Sequence, residues 1–160
     1  MPTNAKAIAF RDEIIVPALN AIKLYSQAAA ELLLGTALQE SKLVYRRQIG
    51  GGPARGLFQM EMATHDDIFT NDLKYRFSLR NAVLHQKSSL TAKAESELTN
   101  NDAHAAAMAR VLHKRAPKAL PMAGDVPAMA AYWKQYYNTP LGAGTVDQYI
   151  ASWSGVMGSP

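Results

Sequence analysis

Apolar and polar positions follow a helical rhythm through most of the chain. Apolar residues recur three and four positions apart, alanine fills many sites between them, and no stretch alternates as a half-buried strand does. Lys6 to Tyr25 carries the first such pattern. Pro17 is expected to break or restart it, since proline lacks an N–H and crowds the preceding turn. In the second, Ala28 to Glu40, residues Ala29, Leu33, Ala37 and Glu40 share one face. A glycine-rich loop, Ile49 to Gly56, follows. Thr64 then reads as an N-cap, with Asp67 three residues on and acids in the first turn, of a helix reaching Leu73 or beyond.

Further helices are expected around Leu79 to Ser88, from Ala103 to Ala116 behind a cap at Asn101 or Asp102, and from Asp125 to Tyr137. Pro117 stops the second of these and opens a loop to about Gly124. Thr145 caps a last short helix ending near Ser154, and the tail 155–160 is expected to fray. No repeat, low-complexity block or linker interrupts the pattern. The expectation is a single all-α domain over 1–160.

Composition narrows the function classes. A chain of 160 residues, 48% apolar and 19% charged, buries a core without staples. The absence of cysteine excludes disulfides, thiolate zinc sites and a cysteine nucleophile. No apolar run approaches the ~20 residues that cross a bilayer, so membrane insertion is not expected. The opening MPTNAKAIAFRDEIIVPAL has charges inside its only apolar part and does not read as a signal peptide. The net charge of +4 suits an anionic partner such as nucleic acid, a cell-wall polymer or a membrane face. Lys42, Arg46, Arg47 and Arg55 form a basic stretch, and Glu61, Asp66, Asp67 and Asp72 an acidic one; both read as solvated surface. Nothing resembles a helix-turn-helix or zinc pattern, so nucleic acid is not the expected partner.

Glu40 carries the candidate chemistry. It closes a face whose earlier members, Leu33 and Ala37, are apolar, and a carboxyl there is partly desolvated, which raises its pKa. The partial negative charge of a helix C-terminus pushes the same way. A carboxyl held protonated near neutrality is what a general acid needs to protonate a glycosidic oxygen.

The residues after it sharpen that reading. Gln39-Glu40-Ser41, the glycine-rich loop, and then Gly56-Leu57-Phe58-Gln59-Met60 running to Ala63-Thr64 resemble the lysozyme-like lytic transglycosylase superfamily. That family pairs a Glu-Ser at a helix end with a Gly-Leu-Met-Gln-type motif and an Ala-Thr helix start. The resemblance implies a lysozyme-like fold, with Glu40 as the catalytic acid and Ser41 as its hydrogen-bonding neighbour. It makes Gly56, Leu57, Phe58, Gln59 and Met60 a wall of the substrate cleft, with Gln59 contacting sugar. Tyr137, in Tyr136-Tyr137-Asn138, stands where the family has a tyrosine supporting the acid. Met62 and Glu61 depart from the family pattern, which commonly has proline at the first of these and no acid at the second. The segment 131–153 and the string GGGPARGLFQMEMATHDD also resemble small proteins of tailed-phage virions. The implied partners are bacterial peptidoglycan and other virion proteins, and the implied location is the phage particle or the host envelope during entry or lysis.

Glycoside hydrolysis commonly uses two carboxylates. Glu61, Asp66 and Asp67 are the candidate second acids, although Asp66 and Asp67 read better as helix-start charges. As the resemblance implies, one Glu serves as acid and then base, leaving both anhydro-product transglycosylation and hydrolysis by water open. Arg55 reads as a contact for acidic groups of the glycan, and His113 as part of a solvated helix end. Tyr132, Trp133, Tyr136, Tyr137 and Trp153 are either a sugar-stacking surface or helix packing. No zinc-protease pair, phosphate loop or serine elbow is present, and no cofactor or metal is called for. The competing class is a catalytically silent component of a phage tail or ejection apparatus that keeps the same fold.

Overall fold

The computed structural model describes residues 1–159, and they are mostly helical. Helix α1 (Asn4–Phe10) begins at Thr3, whose side chain accepts from the Lys6 N–H. It does not break at Pro17. A π-turn over Arg11–Ile15, in which the Val16 N–H reaches back to Arg11 O, widens the ladder just before the proline. The chain then runs on as α2 (Val16–Ala21).

Helix α3 (Gln27–Ser41) starts at a Ser26 cap and is buried at nearly every position from Ala29 to Leu38. It is therefore a central helix enclosed on all sides, and the single apolar stripe read from the sequence understates it. Its neighbours are α7 (Asp102–Lys114), α8 (Val126–Trp133) and α9 (Val146–Met157). Gly35 lets α9 approach, because a Cβ there would collide with the Tyr149 hydroxyl. That hydroxyl donates to Leu32 O at 3.3 Å, and Ser152 Oγ donates to Gln39 Oε1 at 2.8 Å.

Between α3 and α4 (Met62–Asn71) the chain forms a small antiparallel pair, β1 (Ala54–Arg55) and β2 (Met60–Glu61), with Arg55 opposite Met60. The sequence shows no strand here, because two residues are too few for alternation to register. This pair also displaces the expected N-cap. Extended Glu61 runs straight into α4 without a side-chain cap, so Thr64 sits inside the helix and the first turn holds no acid. That helix stops at Asn71, and a 3₁₀ turn over Leu73–Tyr75 leads to α5 (Phe77–Leu84). The short α6 (Ala94–Asn100) is an addition to the expected elements; Glu97 on it accepts from the Ser88 N–H and the Asn101 amide.

Asn101 caps α7, Asp125 caps α8, and Thr145 caps α9 through a reciprocal box with Gln148. A second π-turn, Lys134–Asn138, continues α8. Helix α9 runs past Ser154 to Met157. Of the tail expected to fray, Val156 is buried and its carbonyl accepts from the Asn4 amide at 3.1 Å. Pro160 lies outside the described residues. One hydrophobic cluster extends from Ala7 to Val156, and the all-α expectation holds. Among the described residues, no helix is long and apolar enough to cross a membrane.

Candidate active site

Glu40 lies in the last turn of α3, on the floor of a cleft of about 730 Å³. One wall is the β-hairpin region with Gln59, Met60 and Glu61, and the facing wall carries Trp133, Tyr137 and the segment 138–144. Tyr45, Gln48 and Ile49 also line the cleft. Burial pushes the Glu40 carboxyl up to about 7, against the opposing effect of a hydrogen bond from Trp133. Indole Nε1–H donates to Glu40 Oε1 at 3.0 Å. An indole only donates, so Oε1 is held as an acceptor and the proton of the neutral acid resides on Oε2. Tyr137 donates its hydroxyl to Phe58 O at 2.6 Å, and burial together with the nearby Glu40 raises its pKa well above the ordinary value.

The motif residues divide into two sets. Glu40, Gln59, Met60 and Tyr137 line the cleft. Ser41, Gly56, Leu57 and Phe58 stand behind its wall and touch no cleft space, which corrects the expectation that Gly56 to Phe58 meet substrate and leaves Ser41 no place as a ligand contact either. Ser41, 1% exposed, donates to Leu57 O at 2.6 Å and accepts from the Leu43 N–H at 3.2 Å. It therefore ties the end of α3, where Lys42 and Leu43 turn left-handed, to the hairpin, and its hydroxyl is not spent on the Glu40 carboxyl. Gly56 has φ +75°, and a Cβ there would collide with Leu98 O, so only glycine fits. Gln59 also turns left-handed, at φ +49°. Its amide nitrogen donates to Gly56 O at 2.9 Å and Tyr45 O at 3.4 Å, which leaves the Oε1 acceptor, rather than both functions, for a ligand.

The basic stretch is mostly spoken for. Arg46 makes a bidentate pair with Asp102 (2.7 and 3.0 Å) and also donates to Thr99 O at 3.0 Å. Arg55 reaches Glu95 at 3.0 Å and the carbonyls of Gly52 and Ala54, so it staples the glycine-rich loop to α6 and is not free to meet a glycan acid. Of the candidate second acids, Glu61 is exposed on the cleft rim. Asp67 instead pairs with Arg115 at 2.7 Å, and Asp66 contacts His65 at 2.9 Å, both away from the cleft. Among the described residues, no three His, Cys, Asp or Glu side chains converge on a metal position.

Two features escaped the sequence. Trp133, the hydrogen-bond partner of the acid, is 1% exposed and tilts against Tyr149 with ring centroids 5.5 Å apart. Its i, i+4 spacing from Tyr137 was the available signal. His113 is 1% exposed rather than solvated, packs 5.3 Å from the Tyr137 ring, and among the described residues has no hydrogen-bond partner on either ring nitrogen. It faces inward because α7 is buried along most of its length. No family model, curated protein or solved structure matches the chain.

Proposed function

We propose that the chain cleaves the glycan strand of bacterial peptidoglycan, with Glu40 as its single acid and base, in a lysozyme-like helical domain carried by a tailed phage. The observation that carries this reading is a carboxyl with a pKa near 7 on the floor of a cleft large enough for sugar rings. With its pKa raised to about 7 by burial, the carboxyl can hold a proton near neutrality, ready for the glycosidic oxygen. Its transfer breaks the bond between the anomeric carbon and that oxygen, and positive charge develops on the ring. The carboxylate that remains keeps the Trp133 N–H, which favours the charged form.

Glu40 then withdraws a proton from the incoming nucleophile. If that nucleophile is the 6-hydroxyl of the same N-acetylmuramic acid, its oxygen bonds to the anomeric carbon and an anhydro ring closes. If it is water, a reducing end forms. A single acid suffices in either case, and Glu61 on the rim is the one further carboxylate placed to take part. The virion setting rests on the resemblance of segment 131–153 and the string from Gly50 to Asp67.

Digestion of purified peptidoglycan by the wild type and by Glu40→Gln, with products identified by mass spectrometry, tests this. Anhydro-muropeptides from the wild type alone establish a transglycosylase acting through Glu40, and reducing ends establish a muramidase. Equal activity would remove Glu40 from the mechanism. Two equally inert proteins would favour the silent tail or ejection component.

A further inference from the structure

A second cleft, of about 510 Å³, lies between the ends of α2, α5 and α7 and shares no lining residue with the cleft around Glu40. Its apolar lining comes from Ile22, Leu24, Leu79 and Ala82. Lys23, Arg76 and Lys114 also line it, and no acid does. Arg76 shares its charge with Asp72 at 2.6 Å, whereas Lys23 and Lys114 form no ion pair among the described residues. Lys23 and Lys114 stand at the C-terminal ends of α2 and α7, where cations offset the helix dipoles. That placement accounts for two charges. It does not account for Phe77, which lines the cleft at 74% exposure, or for Tyr75 at 76% just before it.

Large side chains standing in water beside an apolar hollow are the anatomy of an interaction site. The hollow accepts an inserted side chain, which a nucleic-acid backbone cannot supply and which a flat bilayer surface fills poorly. The excess of cations on its lining selects for negative charge in the occupant. We propose that this cleft docks a segment of a partner protein in which one or two bulky apolar side chains are flanked by Asp and Glu. The apolar side chain enters between Ile22, Leu79 and Phe77, and the flanking carboxylates meet Lys23, Arg76 and Lys114.

The test uses the full chain as bait for a displayed library of random eight-residue peptides. Binders are then titrated against wild type, Lys23→Glu/Lys114→Glu and Ser78→Glu, which places an acid in the exposed first turn of α5. Enriched peptides should carry Leu, Phe or Trp beside at least two acids. They should lose about tenfold in affinity to either variant and a comparable factor at high salt. Both variants should digest peptidoglycan as the wild type does, so failure of this docking site is separable from failure of the catalytic reading. The proposal is overturned by a library that enriches nothing, by peptides without acidic bias, or by equal affinity for the variants. It is also overturned if the same substitutions abolish sedimentation with phosphatidylglycerol vesicles while no peptide binds, which would make the surface a lipid contact.

Discussion

Replacing Glu40 by Gln should stabilise the fold, and only above acidic pH. Burial raises the carboxyl from 4.5 to about 7, so the native state prefers it neutral. The sign follows from linkage. For a group whose folded pKa lies above its unfolded value, the favourable contribution is complete below 4.5, declines as the pH rises towards 7, and is gone beyond it. Each tenfold change in proton affinity is about 1.4 kcal/mol, so the interval from 4.5 to about 7 corresponds to about 3 kcal/mol. The amide introduced by Glu40→Gln keeps the shape and still accepts the Trp133 N–H, yet has no charge to bury. Urea unfolding of both proteins at a series of pH values between about 4 and 8 isolates this residue, since all other titrations cancel in the difference. The variant's advantage should grow from pH 4.5 and level off above 7 near 3 kcal/mol. A difference that is constant with pH, or that widens towards acid, would refute the buried-acid argument at its root.

Trp133→Phe preserves ring packing and deletes the donor to Oε1, so Glu40 should hold its proton more tightly, by about tenfold in affinity. The Cδ resonance of labelled Glu40 reports it directly, and the alkaline limit of activity should move up with it. Burial lowers His113 to about 3 and His104 to about 4, so their stabilising contribution is present above the ordinary histidine value and is lost as pH falls. His113→Leu, which removes two buried unpartnered nitrogens, should therefore gain about 1 kcal/mol at pH 7 and more at pH 5 in the same unfolding assay. Gly56→Ala should cost about 3 kcal/mol or more, because the new Cβ meets a backbone carbonyl. Gly51→Ala, also at positive φ but with open space around it, should cost only about 1 kcal/mol, as compared by thermal unfolding.

The helices and most of their caps were legible because each is a local matter. Asn101, Asp125 and Thr145 each accept from the N–H three residues ahead. Glu40 was legible for a related reason, since a carboxyl closing an apolar run announces its own desolvation. Its companion was not. Trp133 lies 93 residues further on, and nothing in the local pattern of either segment selects the other. His113 misled because Lys114 and Arg115 follow it, although helical geometry turns it about 100° from its neighbour and into the core. The motif points Ser41 at the Glu40 carboxyl and Gly56 to Phe58 at the ligand. In the fold they meet backbone, with Ser41 on Leu57 O and Tyr137 on Phe58 O, and so hold the wall in shape. At Pro17 the sequence offers a break or a restart; the structure takes the restart, with the proline in the first turn of α2, and adds before it a π-turn that no single residue type signals.

The absence of a Cβ at Gly35 bears on the order in which the surroundings of Glu40 are assembled. Tyr149 occupies that space from α9 and braces Trp133, which in turn bonds to Glu40. On a ribosome, α3 emerges long before α8 and α9 exist. Until they dock, Glu40 is a solvated residue on an unfinished helix and stays ionised at cellular pH. The proton that defines the site is thus acquired only when α8 and α9 are in place. On the proposed peptidoglycan-cleaving reading, a copy cut short before them would lack the protonated acid.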